Sequence, residues 1–225
     1  MRQVTLEDER LPLQLRQEIR GLLKRGELLV YPTDTLYALG GLATCAAAAQ
    51  RVRSAKGREH GKALSVVAAN REQIQDLCPE WGDAAQELAE AFWPGPLTLV
   101  VSAGSGWPRE VTAGTGSIAL RVPAAELTRQ LCRLAGPLIA TSANRSGEPP
   151  ATNSSEAADA FSDAVSMVID SGVPAQGLPS TIVDVTGARA RLLREGVIPW
   201  TAVRARLGLD AAAEDDVAEV GTESN

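Results

Sequence analysis

The sequence VYPTDTLYALGG occupies residues 30–41 and sets the organisation of the chain. It opens as an apolar, strand-forming run, and Pro32 then stops the strand because proline has no N–H to donate to a neighbouring strand. Thr33, Asp34 and Thr35 follow, and short polar side chains of this kind bond to their own backbone and favour turns. Two interpretations are open: an ordinary strand-to-loop turn, or a rigid cluster of hydroxyls at a strand end, where α/β proteins bind ligands.

Helices and strands alternate on both sides of this stretch, which predicts an α/β fold. Helical spacing of leucines favours a first helix between Pro12 and Gly26, and Thr44 is a candidate N-cap for the second. Hairpin-like pairs among the strands favour a twisted mixed sheet with flanking helices. Further helices are predicted at 45–55, after an N-cap at Asn70, and at 83–93, 126–134, 152–163 and 199–207. Further strands are predicted at 63–69, 97–102, 118–122, 138–141, 165–170, 181–185 and 191–194, with a glycine-rich loop at 104–116.

The composition is that of a globular protein, with 44% apolar and 22% charged residues in a chain of 225. No apolar run approaches the ~20 residues of a membrane span, and the N-terminus has no apolar signal segment. We therefore expect a cytoplasmic protein without a membrane contact. Cys45, Cys78 and Cys132 show no C-x-x-C spacing, which favours free thiols over a disulfide framework or a zinc site.

The net charge of −6 is concentrated at the C-terminus. Residues 210–225 contain six acids and no base, so that residues 1–209 contain 22 acids and 22 bases. We predict one folded domain over 1–209 and an acidic disordered tail over 210–225. A neutral body gives no support for broad binding to nucleic acid, although it is compatible with a local basic site.

Two of the three lysines, Lys56 and Lys62, lie in one short segment with Arg58 and His60 between them. A loop dense in cations suits phosphate oxygens, and the alternative is a solvated basic face. The segment lacks the G-x-x-x-x-G-K-[ST] spacing of a P-loop, and no G-x-G-x-x-G follows the first strand. A nucleotide, if bound, must be held in another way.

Further polar loops follow or precede later strands. Residues 141–147 read TSANRSG, Ser180 introduces a strand, and Arg194 lies at a strand–loop junction. Each of these alone is weak evidence for a site, because Ser, Thr, Asn and Gly are common in loops. The sequence shows no Ser-His-Asp order and no pair of carboxylates that stands out as catalytic.

Seven segments occur in the order found in one family: PTDTLYALG, the KGR…K loop, WPGPLTLV, ALRVP, TSANRSG, STIVDV and LREG. With them the chain resembles the YrdC-type threonylcarbamoyl-AMP synthases over about residues 15–200, in the short single-domain bacterial-type form. The resemblance implies a YrdC-like α/β fold, a twisted mixed sheet with flanking helices around a central basic cavity. The chain departs from the family pattern at Ala63, Val67 and the pair Ala124–Ala125, where proline, histidine and Asp-His are common.

The resemblance implies an enzyme, an L-threonylcarbamoyladenylate synthase of the nucleotidyltransferase class. Such enzymes condense L-threonine, bicarbonate or CO2, and ATP to threonylcarbamoyl-AMP and pyrophosphate, with Mg2+ accompanying the triphosphate. The implied partners are the downstream tRNA threonylcarbamoyl-transferase complex, which modifies the adenosine next to the anticodon, and a weak contact with RNA.

The resemblance also implies roles for individual residues. Lys56 and Arg58 would act as catalytic residues at the phosphates. L-threonine would be bound by Thr35, Arg121, Thr141 and Ser180. ATP would be bound by Arg58, Lys62, Ser117, Ser142, Asn144 and Arg194. No residue of the protein is implied as a metal ligand.

Two other functions are open on the sequence. An RNA- or ribosome-binding module of the same fold would use a basic cavity without chemistry, although 4% aromatic residues are few for stacking on single-stranded bases. A carbamoyl-transfer enzyme would need the acylphosphatase and zinc-finger segments that accompany YrdC-like domains in larger carbamoyltransferases, and we find neither in this sequence. Release of pyrophosphate from ATP would distinguish the synthase from the binding module.

Overall fold

The computed structural model describes residues 1–7, 10–57, 63–75, 77–78, 80–145, 147–151, 153–171 and 177–209. The helices in these ranges are α1 (Leu13–Lys24), α2 (Ala46–Lys56), α3 (Glu72–Gln75), α4 (Asp83–Phe92), α5 (Arg109–Thr112), α6 (Glu126–Ala135), α7 (Ser154–Ala160) and α8 (Trp200–Arg206). The strands are β1 (Arg2–Thr5), β2 (Leu29–Pro32), β3 (Tyr37–Gly40), β4 (Ser65–Val67), β5 (Leu97–Ser102), β6 (Ser117–Arg121), β7 (Leu138–Ile139), β8 (Thr141–Ser142), β9 (Met167–Asp170), β10 (Thr181–Asp184) and β11 (Arg191–Arg194).

The first sheet is built around the hairpin of β2 and β3. Its five strands lie in the order β1-β9-β2-β3-β8. β2 and β3 are antiparallel with Pro32 opposite Tyr37, so residues 33–36 form the turn between them. β9 is parallel to both β1 and β2, and β8 is antiparallel to β3. Every residue of β2 and β3 is buried, which shows that these two strands are covered on both faces.

The second sheet contains six strands in the order β11-β10-β5-β6-β4-β7. β5 is parallel to β10 and antiparallel to β6. β4 is parallel to β6 and carries the short β7 antiparallel on its other edge. One residue, Ala140, separates β7 from β8. The chain therefore passes directly from the second sheet to the first at this point, and the two sheets lie next to each other there.

Two apolar cores hold the layers together. The smaller core lies between the first sheet and the helices α1 and α6, which contribute Ile19 and Leu127 among others. The larger core packs both sheets against α2, α4, α7 and α8. Neighbouring residues of β2 supply different cores, since Tyr31 faces the smaller and Val30 the larger. This alternation is expected of a strand that is covered on both faces.

The mixed α/β fold is confirmed, with the strands divided between two sheets. The sequence prediction omits β1, which is a largely exposed strand, and β3, which ends at the Gly40–Gly41 pair; α5 lies inside the predicted glycine-rich loop. The prediction that Thr44 caps α2 is wrong, because the N-cap residue is Cys45 and makes no side-chain cap bond. Asn70 accepts the N–H of Gln73, which confirms it as the cap of α3.

The seventh helix is shorter than predicted. Its predicted start at Thr152 lies outside the described residues, and Asn153 is the N-cap, because its side chain accepts the N–H of Glu156. The predicted tail at 210–225 also lies outside the described residues, so the division into a domain and a tail stays a prediction.

The described helices include none that is long and apolar enough to cross a membrane. The three cysteines are free, with Cys78 and Cys132 buried and Cys45 half-buried. Burial raises the pKa of Cys132 to about 12 and also raises the pKa of Cys78. The two buried thiols are therefore protonated at neutral pH and pack as small apolar groups.

Candidate active site

A cavity of about 720 Å3 lies where the two sheets meet. The first sheet supplies the β2–β3 turn and β8, the second supplies parts of β4, β5, β6, β10 and β11, and α2 supplies its last turn. Small-molecule sites typically have volumes of roughly 300–1,000 Å3, so the cavity has the size of a ligand site. Its wall includes hydroxyl and cationic side chains from Thr33, Thr35, Lys56, Thr98, Arg121, Thr141, Ser142, Ser180 and Arg194.

Thr33 organises the turn between β2 and β3. Its Oγ1 accepts the backbone N–H groups of Thr35 (3.2 Å) and Leu36 (3.1 Å) and donates to the carbonyl of Leu36 (2.6 Å). The Oγ1 of Thr35 lies 3.1 Å from that of Thr33. These local bonds hold the Thr35 hydroxyl in the buried wall of the cavity, as expected of an ST-turn.

Arg121 ends β6 and is the buried cation of this wall. Its Nη1 donates to Thr35 Oγ1 (2.8 Å) and its Nε donates to the carbonyl of Gly95 (2.9 Å). Its Nη2 lies 2.5 Å from Asp34 Oδ1, and the two side chains form an ion pair. Burial lowers the pKa of Arg121 and Asp34 opposes this effect. The guanidinium is nevertheless charged, since arginine is not deprotonated in proteins.

Ser180, just before β10, and Arg194, at the end of β11, lie further along the same second sheet as Arg121. Ser180 Oγ is 2.8 Å from Thr98 Oγ1, and both side chains are buried. Arg194 donates from Nε (3.1 Å) and Nη2 (2.9 Å) to the Ser180 carbonyl, and from Nη2 (3.2 Å) to Ser180 Oγ. The Arg194 residue is exposed at the rim. Partial desolvation, together with the nearby charge of Arg121, lowers the pKa of Arg194.

A close backbone approach fixes Arg194 over Ser180. A Cβ at Gly196 would lie 2.2 Å from the Pro179 carbonyl oxygen, so only glycine fits there. The buried hydroxyl of Thr181 accepts the N–H groups of Gly196 (2.9 Å) and Ile198 (3.1 Å) and donates to the carbonyl of Ile198 (2.6 Å). The segment after β11 is thereby tied to the start of β10.

Lys56 is buried at the end of α2. Its Nζ donates to the carbonyls of Ser142 (2.8 Å) and Asn144 (2.5 Å) and to Asn144 Oδ1 (3.2 Å). The amide Nδ2 of Asn144 donates to the carbonyls of Arg145 (2.9 Å) and Glu148 (2.6 Å). Lys56 therefore ties α2 to the loop after β8, and its ammonium brings a positive charge to this side of the cavity.

Tyr37 forms part of the deep wall. Its hydroxyl donates to Asp170 Oδ1 (2.9 Å), and the hydroxyl of Ser154 donates to the other oxygen of the same carboxylate (2.6 Å). Burial, followed by the hydrogen bond and charge of Asp170, raises the pKa of Tyr37 well above its ordinary value. The phenol is therefore neutral at physiological pH and acts as a fixed hydrogen-bonding element of the wall.

The structure brings most of the predicted site residues to this one cavity. Ser117 lies at the other end of β6, with its Oγ 3.1 Å from Thr115 Oγ1, and Asn144 directs its amide into its own loop. Neither belongs to the cavity wall, while Arg58 and Lys62 lie outside the described residues. The roles assigned to individual residues stay predictions. The predicted residues in the wall are Thr35, Lys56, Arg121, Thr141, Ser142, Ser180 and Arg194.

Three participants were not singled out from the sequence. Aspartate is common in turns, so Asp34 does not stand out in the sequence. Its ion pair with Arg121 joins positions far apart in the chain, and no local sequence pattern indicates such a contact. Thr98 lies within an apolar strand, where a single threonine is ordinary. Tyr37 begins the unpredicted strand β3. The polar turn itself is the one signal that could have drawn attention to Asp34.

Among the described residues, no group of three or more His, Cys, Asp or Glu side chains is placed to hold a metal ion. The polar groups that the described wall offers are mainly hydroxyls and cations. Such groups suit a ligand with anionic oxygens.

Comparison with known proteins agrees with the fold and the motifs. The family model Sua5_yciO_yrdC, described as telomere recombination, matches residues 21–196. The chain is 37% identical over 84% of its length to the threonylcarbamoyl-AMP synthase of Pyrococcus abyssi, and the match spans 56% of that protein. It is 39% identical over 72% of its length to the threonylcarbamoyl-AMP synthase of Chromohalobacter salexigens, spanning 88% of that protein.

A solved structure is similar as well. The crystal structure of P. abyssi Sua5 complexed with L-threonine matches 92% of this chain and 60% of its own, with a TM-score of 0.85 and 35% identity. The family resemblance and the fold class inferred from the sequence are thereby confirmed. The chain belongs to the Sua5/YciO/YrdC family.

Proposed function

We propose that this protein is a threonylcarbamoyl-AMP synthase, a nucleotidyltransferase that condenses L-threonine, bicarbonate or CO2, and ATP to threonylcarbamoyl-AMP and pyrophosphate. The observation that carries the proposal is the buried guanidinium of Arg121, held by Asp34, Gly95 and Thr35 in a ligand-sized cavity. The proposal is supported by two relatives named as synthases and by a similar structure complexed with L-threonine. A guanidinium fork suits a carboxylate, which it can bind with two hydrogen bonds.

The amino-acid end of the cavity consists of Thr35, Arg121, Thr141 and Ser180. Arg121 binds the carboxylate of threonine through N–H groups that Gly95 and Thr35 do not use. The hydroxyls of Thr35, Thr141 and Ser180 bond the polar groups of the amino acid. Support comes from the geometry, because Thr35 is fixed by its turn and by Arg121, and Ser180 is fixed by Thr98.

The nucleotide end is the part of the cavity that carries the remaining cations of the wall. Arg194 and Lys56 supply positive charge there, Lys56 along the phosphates, and Arg58 and Lys62 are proposed as further ligands of ATP. Lys56 also orients the loop that it bonds. In this proposal ATP is bound by Arg58, Lys62, Ser142 and Arg194 and extends beyond the described cavity wall to Ser117 and Asn144, and the cavity as a whole is basic.

The chemistry needs positioning and charge stabilisation, and no protein nucleophile. The threonine amine attacks CO2, or bicarbonate with release of water, and loses a proton to give a carbamate. A carbamate oxygen then attacks the α-phosphorus, the bond to the bridging oxygen breaks, and pyrophosphate leaves. Both reactants are anions, so a cationic cradle lowers their repulsion and stabilises the charge that develops on the phosphoryl oxygens and the leaving group. Holding them together supplies much of the remaining acceleration.

The remaining participants follow from this function. Mg2+ enters with the triphosphate, whose oxygens are the ligands that this ion prefers. Threonylcarbamoyl-AMP passes to the downstream tRNA threonylcarbamoyl-transferase complex, and the protein makes at most a weak contact with RNA. Residues 1–209 form the catalytic domain, and the protein works in the cytoplasm.

The test is mass spectrometry of the product formed from ATP, bicarbonate and a panel of amino acids. Threonine should give threonylcarbamoyl-AMP and pyrophosphate. Serine lacks one methyl group, which is worth only about 1–3 kcal/mol, so it should be a poor but detectable substrate. Valine should be nearly inert, because the polar groups around the threonine hydroxyl would be left unpaired. AMP and pyrophosphate that form only without threonine would contradict the proposal.

The same experiment addresses the second function weighed on the sequence. A module of this fold that only binds RNA or ribosomes would release no pyrophosphate from ATP. The names of the relatives favour the synthase over this alternative.

A further inference from the structure

The two guanidinium groups of the cavity differ in their counter-charges. Arg121 Nη2 lies 2.5 Å from Asp34 Oδ1, and the two side chains are only 7% and 13% exposed. The hydrogen bonds described for Arg194 go to the neutral oxygens of Ser180. Arg121 lines the cavity whereas Asp34 does not, so the carboxylate acts on a ligand through its ion pair with the guanidinium.

We infer that Asp34 is a specificity residue, whose charge makes the amino-acid end of the cavity select a single carboxylate and exclude phosphate groups. This inference rests on the proposed function, since it concerns how the cavity keeps its two anionic substrates apart. Arg121 and Asp34 together carry no net charge. Among the described residues Arg194 has no carboxylate partner, and the phosphates bind next to it.

The selection follows from the charge of the ligand. A carboxylate carries one negative charge, whereas a terminal phosphate group carries roughly −1.5 to −2 at pH 7. The repulsion from Asp34 grows with that charge. A phosphate therefore loses more binding free energy at the amino-acid end of the cavity than a carboxylate does. A carboxylate also matches the fork of N–H groups on Arg121.

Arg121 has donors left for such a ligand. Its Nε is used by Gly95, and one Nη1 bond is used by Thr35. Nη2 forms the ion pair with Asp34. A guanidinium has five N–H groups, so the second N–H of Nη1 and the second N–H of Nη2 are left for a ligand. The pair thus supplies charge compensation without occupying every N–H group.

The discrimination has a use in the reaction. ATP and pyrophosphate share the cavity with threonine, and each would bind an uncompensated buried guanidinium strongly. Occupation of Arg121 by a phosphate group would block the amino acid. A carboxylate paired with the guanidinium prevents this while leaving the positive charge in place for the substrate carboxylate.

The experiment compares wild type with Asp34→Asn, using Asp34→Glu as the matched control that keeps the charge. Inorganic phosphate is the probe, and acetate is the carboxylate control. Threonine and ATP dependences are measured at increasing phosphate, and phosphate binding is also measured by calorimetry, which needs no turnover. A thermal melt checks that each variant is folded.

In wild type and Asp34→Glu, phosphate should compete with ATP and not with threonine, whereas acetate should compete with threonine. In Asp34→Asn, phosphate should also compete with threonine, and calorimetry should show additional phosphate binding on the order of tenfold tighter after screening. The inhibition by acetate should differ less between wild type and Asp34→Asn than the inhibition by phosphate does.

Two results would overturn the inference: competition between phosphate and threonine in wild type, or an unchanged inhibition pattern in folded Asp34→Asn. If Asp34→Asn does not fold, the inference is decided by whether phosphate competes with threonine in wild type and in Asp34→Glu. A wild-type protein that makes no threonylcarbamoyl-AMP would refute the proposed function instead, and the calorimetric comparison would still test the charge effect of Asp34.

Discussion

Arg121 and Arg194 are the same side chain in different surroundings, on two strands of the sheet that lines one cavity. Arg121 is 7% exposed and faces the carboxylate of Asp34. Arg194 is exposed at the rim and donates to the backbone and hydroxyl of Ser180. Removal of a charge from water costs several kcal/mol, so a buried guanidinium needs a counter-charge and a rim guanidinium does not. The surroundings, and not the residue type, decide what charge each end of the cavity presents.

This difference separates two kinds of functional residue. Arg121 belongs to the folded core as well as to the site, because Gly95, Asp34 and Thr35 are all held through it. Arg194 makes its described hydrogen bonds to one residue, Ser180, and is exposed at the rim. Removal of Arg121 should therefore damage folding and binding together, whereas removal of Arg194 should damage binding alone.

Arg121→Ala should have the largest effect. It leaves Asp34 buried without its cation, and truncation of one partner in a buried ion pair costs about 3–5 kcal/mol. We expect kcat/KM for threonine to fall by at least a hundredfold, which is about 2.7 kcal/mol, and the melting temperature to fall with it. Product formation by mass spectrometry and a thermal melt measure the two effects.

Arg194→Ala is the matched control for that prediction. Loss of an exposed cation should raise the KM for ATP by about tenfold, as expected for one charge-assisted contact. The threonine KM and the melting temperature should stay close to wild type. A drop in melting temperature as large as that of Arg121→Ala would remove the distinction between the two arginines.

Local sequence patterns predicted most elements of the fold. The helices α1 and α6 carry leucines at helical spacing, α4 carries the apolar residues Ala85, Leu88 and Ala89 at that spacing, and the strands β5 and β10 contain apolar runs, so their positions could be predicted within a few residues. The strand β3 could not, since four residues that end in glycine resemble a loop. The division into two sheets also has no local signal, because it depends on pairings such as that of β9 with β2.

The site could be predicted as a set of polar loops but not as a geometry. The motifs point to Thr35, Arg121 and Ser180, and all three do line the cavity. The partner of each is set by tertiary contact, as with Asp34 beside Arg121 and Thr98 beside Ser180. A pattern of residue types identifies which side chains are available, whereas the charge compensation of each one appears only once the chain is folded.

Gly196→Ala should have the next largest effect, and it tests the rim. Its Cβ would lie 2.2 Å from the Pro179 carbonyl oxygen and 2.6 Å from the Ser180 carbonyl carbon, which are backbone atoms that cannot rotate away. We expect a loss of about 1–3 kcal/mol in the free energy of unfolding, typical of an overpacked site. ATP affinity should fall more than threonine affinity, because Arg194 lies two residues before the clash and Arg121 is held by other segments.

Gly187→Ala is the control, since the nearest atom to its Cβ is the Arg189 carbonyl oxygen at 4.0 Å. Urea unfolding of both variants and calorimetric titration with ATP and threonine provide the measurements. Equal stability of the two variants would mean that the close approach at Gly196 does not constrain the rim.

Ser180→Ala should have a smaller effect, and it tests to which end of the cavity this serine belongs. The threonine KM should rise by about three- to tenfold, as expected for one neutral hydrogen bond. ATP affinity should stay within about twofold, because Arg194 keeps both of its bonds to the Ser180 carbonyl, which the substitution leaves in place. Ser102→Ala, an exposed residue on β5, is the control and should change neither value. If ATP affinity collapses while the threonine dependence is unchanged, Ser180 belongs to the nucleotide end, and the assignment of Thr35 to threonine loses support with it.

Deletion of residues 210–225 should have the smallest effect, and it tests whether the negative charge of this segment affects ATP binding at the exposed rim. The segment carries six acids and no base. Exposed charges are screened beyond a Debye length of about 8 Å at physiological salt, whereas the pair of Arg121 and Asp34 is buried and escapes that screening. Turnover should therefore stay within a few-fold, and the threonine KM should not change at all. The measurement is a comparison of both substrate dependences at low and at physiological ionic strength. A lower ATP KM after deletion, seen at low salt and absent at physiological salt, would show that the acids compete with ATP for Arg194 and its neighbours. A large loss of activity at both salt concentrations, with the melting temperature unchanged, would instead show that the segment takes part in catalysis. The different surroundings of Arg121 and Arg194 would then not be enough to explain how the cavity treats its two substrates.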